Sequence, residues 1–215
     1  MSDTQPTLFP SQAINPLSYE QRFHRQGRQR IAGIDEAGRG PLAGPVVAAA
    51  VIFPAGFRPD QRITDSKKLT DRLREELFTI ITQSALAYAI ADTDAPTIDR
   101  INILQATRLA MRKAVEALPH PPDHLLIDGI STIESPLSQT TIIKGDSLSV
   151  SIAAASILAK VSRDRLMQDY HLLYPNYGFD RHKGYGSAAH MAALRQYGPC
   201  PIHRVSFRGV ILDSD

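Results

Sequence analysis

Three short apolar runs in this 215-residue chain each end in carboxylates, and that pattern constrains the fold more than any other feature. The runs are Arg30-Ile-Ala-Gly-Ile-Asp35-Glu36, His124-Leu-Leu-Ile-Asp128-Gly129 and Thr141-Ile-Ile-Lys-Gly-Asp146. Apolar, β-branched runs of this length are strands, and ligands of open α/β sheets gather beyond the carboxyl ends of strands. Three such endings would bring Asp35, Glu36, Asp128 and Asp146 to one place. Taken singly each acid has an ordinary structural explanation: Asp146 as the N-cap of a helix starting at Ser147, Asp128 as a turn residue before Gly129. Their coincidence beside an Asp-Glu pair favours a shared site. Successive strand residues point to opposite faces, so Asp35 and Glu36 can share it only if the strand ends or bulges there; Ala37-Gly38-Arg39-Gly40-Pro41 offers such a break.

The rest of the chain alternates strand and helix patterns. Strands are expected at Arg30–Asp35, Val46–Phe53, Leu86–Ala91, His124–Asp128 and Thr140–Lys144, and helices at Thr70–Leu86, Ile98–Leu118, Ser147–Tyr170 and Ser187–Tyr197. The order predicts an α/β fold with a central mixed sheet, its first two strands an antiparallel pair. Ala153-Ala154-Ala155 marks a small-residue face that lets its helix lie close to the sheet. Residues 1–20, with three prolines, form an N-terminal tail or extension, and 21–215 a single domain. The Leu8-Phe9 pair of the tail is expected to dock on its own domain.

Bulk properties exclude several classes. No apolar run approaches the roughly 18–20 residues of a membrane span, and the N-terminus has neither the basic start nor the apolar centre of a secretory signal. The single cysteine, Cys200, can form neither an internal disulfide nor a structural zinc site, so a reduced, cytoplasmic setting is expected; nothing in the sequence suggests more than a monomer. No GxxxxGK[ST] run exists, and Gly38-Arg39-Gly40 is followed by Pro41 and Pro45 rather than by a helix, which argues against nucleotide-binding fingerprints. Net charge is only +2, but 21–30 carries four arginines and no acid. The stretch 177–208, with Arg181, Lys183, Arg195, Arg204, Arg208, His190 and His203, is also basic, a distribution suited to a polyanion.

Four carboxylates in one pocket repel and raise each other's pKa unless cations neutralise them, and an oxygen-rich set favours hard ions such as Mg²⁺ or Mn²⁺. Glycines at 38 and 40 allow close backbone approach, and Arg39 supplies donors for a phosphate. Tight hairpin turns use the same glycines.

The segment Gly33–Val51 (GIDEAGRGPLAGPVVAAAV) resembles the opening block of the bacterial ribonuclease HII family. Asp65-Ser-Lys-Lys-Leu-Thr70, Leu126-Ile-Asp-Gly129, Lys144-Gly-Asp146, Ser151–Val161, Arg163-Asp164, His182-Lys-Gly-Tyr-Gly186 and His203-Arg204 agree with it in order and spacing, so the resemblance runs from about Ile31 to Val210. It implies a ribonuclease H-like fold with a five-stranded mixed sheet flanked by helices. It implies two divalent cations held by Asp35, Glu36, Asp128 and Asp146, with Asp35 bridging. Cleavage is expected in the RNA strand of RNA–DNA hybrids and 5′ of ribonucleotides embedded in duplex DNA, leaving 3′-hydroxyl and 5′-phosphate ends, as in primer and ribonucleotide removal. Gly38, Arg39, Gly40 and Tyr185 would recognise the ribonucleotide–deoxyribonucleotide junction, with Ser66 and Lys67 near the nucleic-acid backbone. Ser187 departs from the threonine common in relatives. Three alternatives stay open: a subclass that cuts long hybrids only, a silent nucleic-acid-binding module, and a carboxylate-based DNA nuclease.

Overall fold

The computed structural model describes residues 15–211. Five strands, β1 Ile31–Ala37, β2 Val46–Ile52, β3 Ala87–Thr93, β4 His124–Asp128 and β5 Gln139–Ile142, form one sheet in the order β3-β2-β1-β4-β5. Central β1 is antiparallel to β2 and parallel to β4; β2–β3 is antiparallel and β4–β5 parallel. This is the expected mixed five-stranded sheet, its first pair antiparallel. The helices are α1 Ser18–Arg25, α2 Asp71–Ser84, α3 Ala95–Glu116, α4 Val150–Leu173, α5 Phe179–His182 and α6 Ala188–Tyr197.

Alternation along β2 divides the core between the two faces of the sheet. Val46, Ala48, Ala50 and Ile52 pack with Ile98, Ala106 and Ala110 of α3, while Val47, Ala49 and Val51 pack with α2 and α4. Each fully buried Val, Ile or Leu contributes roughly 1.5–3 kcal/mol. Helix α4 is buried along its whole first half, Val150–Ala159. Small residues make this approach possible: Ala153, Ala154 and Ala155 are all buried, and a Cβ on Gly33 would stand 2.2 Å from the Ser151 carbonyl carbon. Only glycine fits there.

Local structure departs from the sequence expectation at four places. Helix α1 is unanticipated, because its apolar signal is only Tyr19 and Phe23 amid arginines. It docks through Phe23, stacked on His124 at 3.8 Å, and through buried Glu20, whose Oε1 accepts from the Ser149 hydroxyl (2.6 Å) and the Ser151 amide (3.0 Å). Residues 1–14, including Leu8-Phe9, lie outside the described residues. Helix α3 starts earlier than expected, capped by Asp94, and breaks at Asn102 (φ 66°), whose side chain caps the restart by accepting from the Gln105 amide at 3.1 Å. Strand β5 ends at Ile142 because Lys144 turns left-handed (φ 57°) into a 3-10 turn, Gly145–Ser147. Helix α4 therefore begins at Val150, not Ser147, and Ser149, not Asp146, is its N-cap.

Candidate active site

The parallel pairing of β1 and β4 has Ile34↔Ile127 as its last pair, so the next residues, Asp35 and Asp128, leave the paired region together and on the same face. Asp35 is 5% exposed. The strand neither ends nor bulges at Asp35-Glu36: the register with β2 continues as Asp35↔Ala49, Glu36↔Ala48 and Ala37↔Val47. That expectation is corrected. Glu36 still feels the other acids because β4 stops at Asp128 while β1 runs on to Ala37, so no strand flanks β1 on that side at this level.

Electrostatics tie the four acids together. Burial, then the charges of Glu36 and Asp128, holds the Asp35 carboxyl well above its ordinary value. Burial also raises Glu36, with Asp128 adding to it and Arg39 opposing. Asp146, in the turn after β5, is raised by burial and by Asp65 and Asp128. Asp65 is thus a fifth acid of this neighbourhood that the strand-end pattern could not reveal, since it follows no strand. As placed, no three Asp, Glu, His or Cys side chains among the described residues stand close enough together to hold a metal ion. Two of the acids are instead satisfied by amides: Asp35 Oδ1 accepts from Glu36 N and Asp128 Oδ1 from Gly145 N, each at 2.7 Å. An amide bond to one oxygen leaves the second able to ligate. An oxygen-only donor set, buried at Asp35 and partly buried at the other three, whose mutual repulsion Arg39 and Lys67 offset only in part, suits a hard divalent cation.

Beside these acids lies a cleft of about 370 Å³ lined by seven of the predicted residues: Glu36, Gly38, Arg39, Gly40, Ser66, Lys67 and Tyr185. Asp35, Asp128 and Asp146 are outside its lining. Arg39 reaches back to Glu36 (3.5 Å), and Tyr185, 49% exposed, stands against Gly40, where an added Cβ would meet its ring at 3.8 Å. Ser66 is buried, its hydroxyl paired at 2.9 Å with that of Ser156, so Lys67 rather than the Ser66 side chain is open to solvent.

Two arginines unassigned by the sequence reading build this loop. Arg163 and Arg204 are 1% and 0% exposed. Arg163 donates to the carbonyls of Pro45, Lys183 and Ala43, all at 3.0 Å. Arg204 donates to those of Gly44 (2.9 Å), Arg39 (2.9 Å) and Gly38 (2.6 Å). Gly38, at φ 94°, lies so close over Arg163 that a Cβ would come within 2.0 Å of its Nε. Burial pulls the two guanidiniums down to about 10 and about 9, still above neutrality, so both keep a positive charge beneath the loop. Their available signal was charge inside apolar surroundings, as in Leu158-Ala-Lys-Val-Ser-Arg163. Arg204, His190 and His203 are thereby removed from the expected basic surface of 177–208, being buried.

The ribonuclease HII family model matches residues 32–210. Ribonuclease HII of Geobacter sulfurreducens is 63% identical over 207 residues, 95% of this chain and 94% of that protein. Ribonuclease HII of Syntrophotalea carbinolica is 59% identical over 203 residues, 94% and 97% of the two chains. Among solved structures, the ribonuclease H2 from Pyrococcus horikoshii OT3 superposes with a TM-score of 0.68 at 25% identity, covering 84% of this chain and 95% of that one. Bst-RNase HIII in complex with Mn²⁺ shares the fold, with a TM-score of 0.60 at 21% identity over 87% of this chain and 70% of that one. With its carboxylate cluster, glycine-arginine loop and sheet all in the matched region, this chain belongs to the ribonuclease HII family.

Proposed function

We propose that this metal-dependent endoribonuclease cleaves the RNA strand of RNA–DNA hybrids and also nicks DNA duplexes on the 5′ side of embedded ribonucleotides, leaving 3′-hydroxyl and 5′-phosphate ends. It works as a monomer in the cytoplasm, removing RNA primers and misincorporated ribonucleotides. The observation that carries the reading is the seating of Tyr185 against Gly40 on one wall of the cleft that Glu36 also lines. A loop whose backbone is exposed at Arg39 and Gly40, facing an aromatic ring, can examine a sugar edge without contacting bases.

Asp35, Glu36, Asp128 and Asp146 would hold two divalent cations, Mg²⁺ or Mn²⁺. Such a pair activates water and stabilises the leaving oxygen of a phosphodiester. The protein's own groups do the positioning. Gly38, Arg39 and Gly40 bind the junction, backed by the charges of Arg163 and Arg204. Tyr185 stacks on the deoxyribose that follows the ribonucleotide, where a 2′-hydroxyl would crowd its ring. Lys67, which tempers the charge of Glu36 and Asp146, lies where the nucleic-acid backbone passes.

A duplex carrying one internal ribonucleotide tests this, with and without Mg²⁺ or Mn²⁺, against an all-DNA duplex and Asp35→Asn protein. A metal-dependent nick just 5′ of the ribose, absent from both controls, is expected. Cleavage restricted to long hybrids would overturn the junction reading; cleavage of the all-DNA duplex would overturn the substrate class.

A further inference from the structure

Two buried histidines connect the cleft's aromatic wall to the chain segment that anchors its glycine loop. His190 Nδ1 lies 2.9 Å from the Tyr185 carbonyl, His190 Nε2 lies 3.0 Å from His203 Nε2, and the Cys200 amide points at His203 Nδ1 at 2.9 Å. His190 and His203 are 0% and 3% exposed. A carbonyl only accepts, so His190 must carry its proton on Nδ1, which leaves its Nε2 an acceptor. His203 must then donate from Nε2, which leaves its Nδ1 to accept from the Cys200 amide. At His203 Nδ1 the Cys200 amide is the nearer partner and the Cys200 carbonyl lies farther off, at 3.3 Å; one tautomer set satisfies the three shorter bonds, and both rings are neutral in it. Burial, by disfavouring the charged forms, agrees.

The chain runs in one direction, from Cys200 through His203 and His190 to the Tyr185 backbone. His203 precedes Arg204, which holds Gly38 and Arg39, and the Leu42 amide donates to the Gly184 carbonyl at 2.8 Å, so both ends of the relay meet the two halves of the same wall. His182 stacks on His190 at 4.5 Å, and Phe179 meets both His190 and His203, which leaves neither ring a second orientation without lost packing.

We infer that His190, oriented by His203, is a positioning residue that sets the preference for a ribonucleotide–deoxyribonucleotide junction by fixing Tyr185 against Gly40. The inference rests on the proposed role of Tyr185 and extends it to two side chains that do not line the cleft. Neither touches substrate. Their effect is on the placement of the Tyr185 ring, and hence on discrimination between substrates rather than on phosphodiester chemistry.

The test uses the geometry of the imidazole. The amide nitrogen of asparagine can replace Nδ1, and that of glutamine can replace Nε2. His190→Asn keeps the bond to Tyr185; His190→Gln loses it while occupying the same space. The readout is the ratio of kcat/KM on a duplex with one ribonucleotide to kcat/KM on a long hybrid, with Tyr185→Ala as reference. Loss of a net hydrogen bond predicts a ratio about tenfold lower in His190→Gln and little changed in His190→Asn. Equal losses in both variants would make His190 a packing residue and overturn the inference. It would also fall if Tyr185→Ala lowers the ratio and His190→Gln does not. An unchanged ratio in Tyr185→Ala would instead overturn the junction reading itself. Should the variants not fold, ¹⁵N NMR of the unaltered protein decides: His190 protonated on Nδ1 and His203 on Nε2 is expected, and the opposite tautomer of His190 sinks the relay.

Discussion

Arg204 Nη2 donates to the Gly38 carbonyl at 2.6 Å, across 166 residues of chain, from a side chain with no exposed surface. The bond is one of three by which this guanidinium fastens the segment between β1 and β2, and its hydrogen bonds go to carbonyls, with the charge of Asp99 adding to the compensation. Lysine cannot span three carbonyls in a fixed fork. Arg204→Lys is therefore expected to cost about 3–5 kcal/mol, from the lost bonds and the buried carbonyls left unpaired. Urea denaturation measures it; a change under 1 kcal/mol would contradict the anchoring role.

Asp35→Asn separates catalysis from stability. On the proposed role of Asp35 as a metal ligand, the substitution is expected to remove about 4 kcal/mol of transition-state charge stabilisation, roughly 10³-fold in rate. The same change relieves a buried charge repelled by Glu36 and Asp128. In metal-free buffer the variant should melt higher than the natural protein, and its melting temperature should respond less to added Mn²⁺. A lower metal-free melting temperature would count against the repulsion.

Gly33→Ala probes the close approach of α4 to β1. The new Cβ would stand 2.2 Å from Ser151 C and 2.4 Å from Ile152 N, both backbone atoms of a buried helix that cannot yield locally. A loss of about 3 kcal/mol or more is expected. A variant with unchanged denaturation midpoint would mean that α4 shifts freely.

Acid should weaken the fold through His203, held down to about 4 by burial and by His190. Below an unfolded value near 6.5 the unfolded chain binds a proton that the native His203 refuses, so stability falls as pH drops from about 6.5 to about 4. The loss reaches roughly 3 kcal/mol at most. Asp35, Glu36 and Asp146, raised in the fold, act with the opposite sign and favour the native state as pH falls. The His203 contribution is therefore read as the difference between the natural protein and His203→Gln, whose stability should decline less over that window. Parallel curves would refute it.

The linear sequence determined the sheet and its acids. Arg30–Asp35 and His124–Asp128 are local apolar patterns, and their composition alone marks them as buried strands that carry Asp35 and Asp128 toward their carboxyl ends. The glycine-arginine loop was equally visible, since glycine and proline mark a turn wherever they stand. What the sequence could not determine comes from contacts between distant residues. Tertiary packing decided that Glu36 feels Asp128 despite an unbroken strand, because β4 stops one residue short of its level. It decided that Ser149 rather than Asp146 caps α4, that Ser18–Arg25 folds by stacking Phe23 on His124, and that Asp65 joins the acids. It also decided the fate of Arg163, Arg204, His190 and His203. In one dimension these are polar residues like any on a surface. In the fold their donors find carbonyls and ring nitrogens from remote segments, and it is that pairing which allows them to be buried.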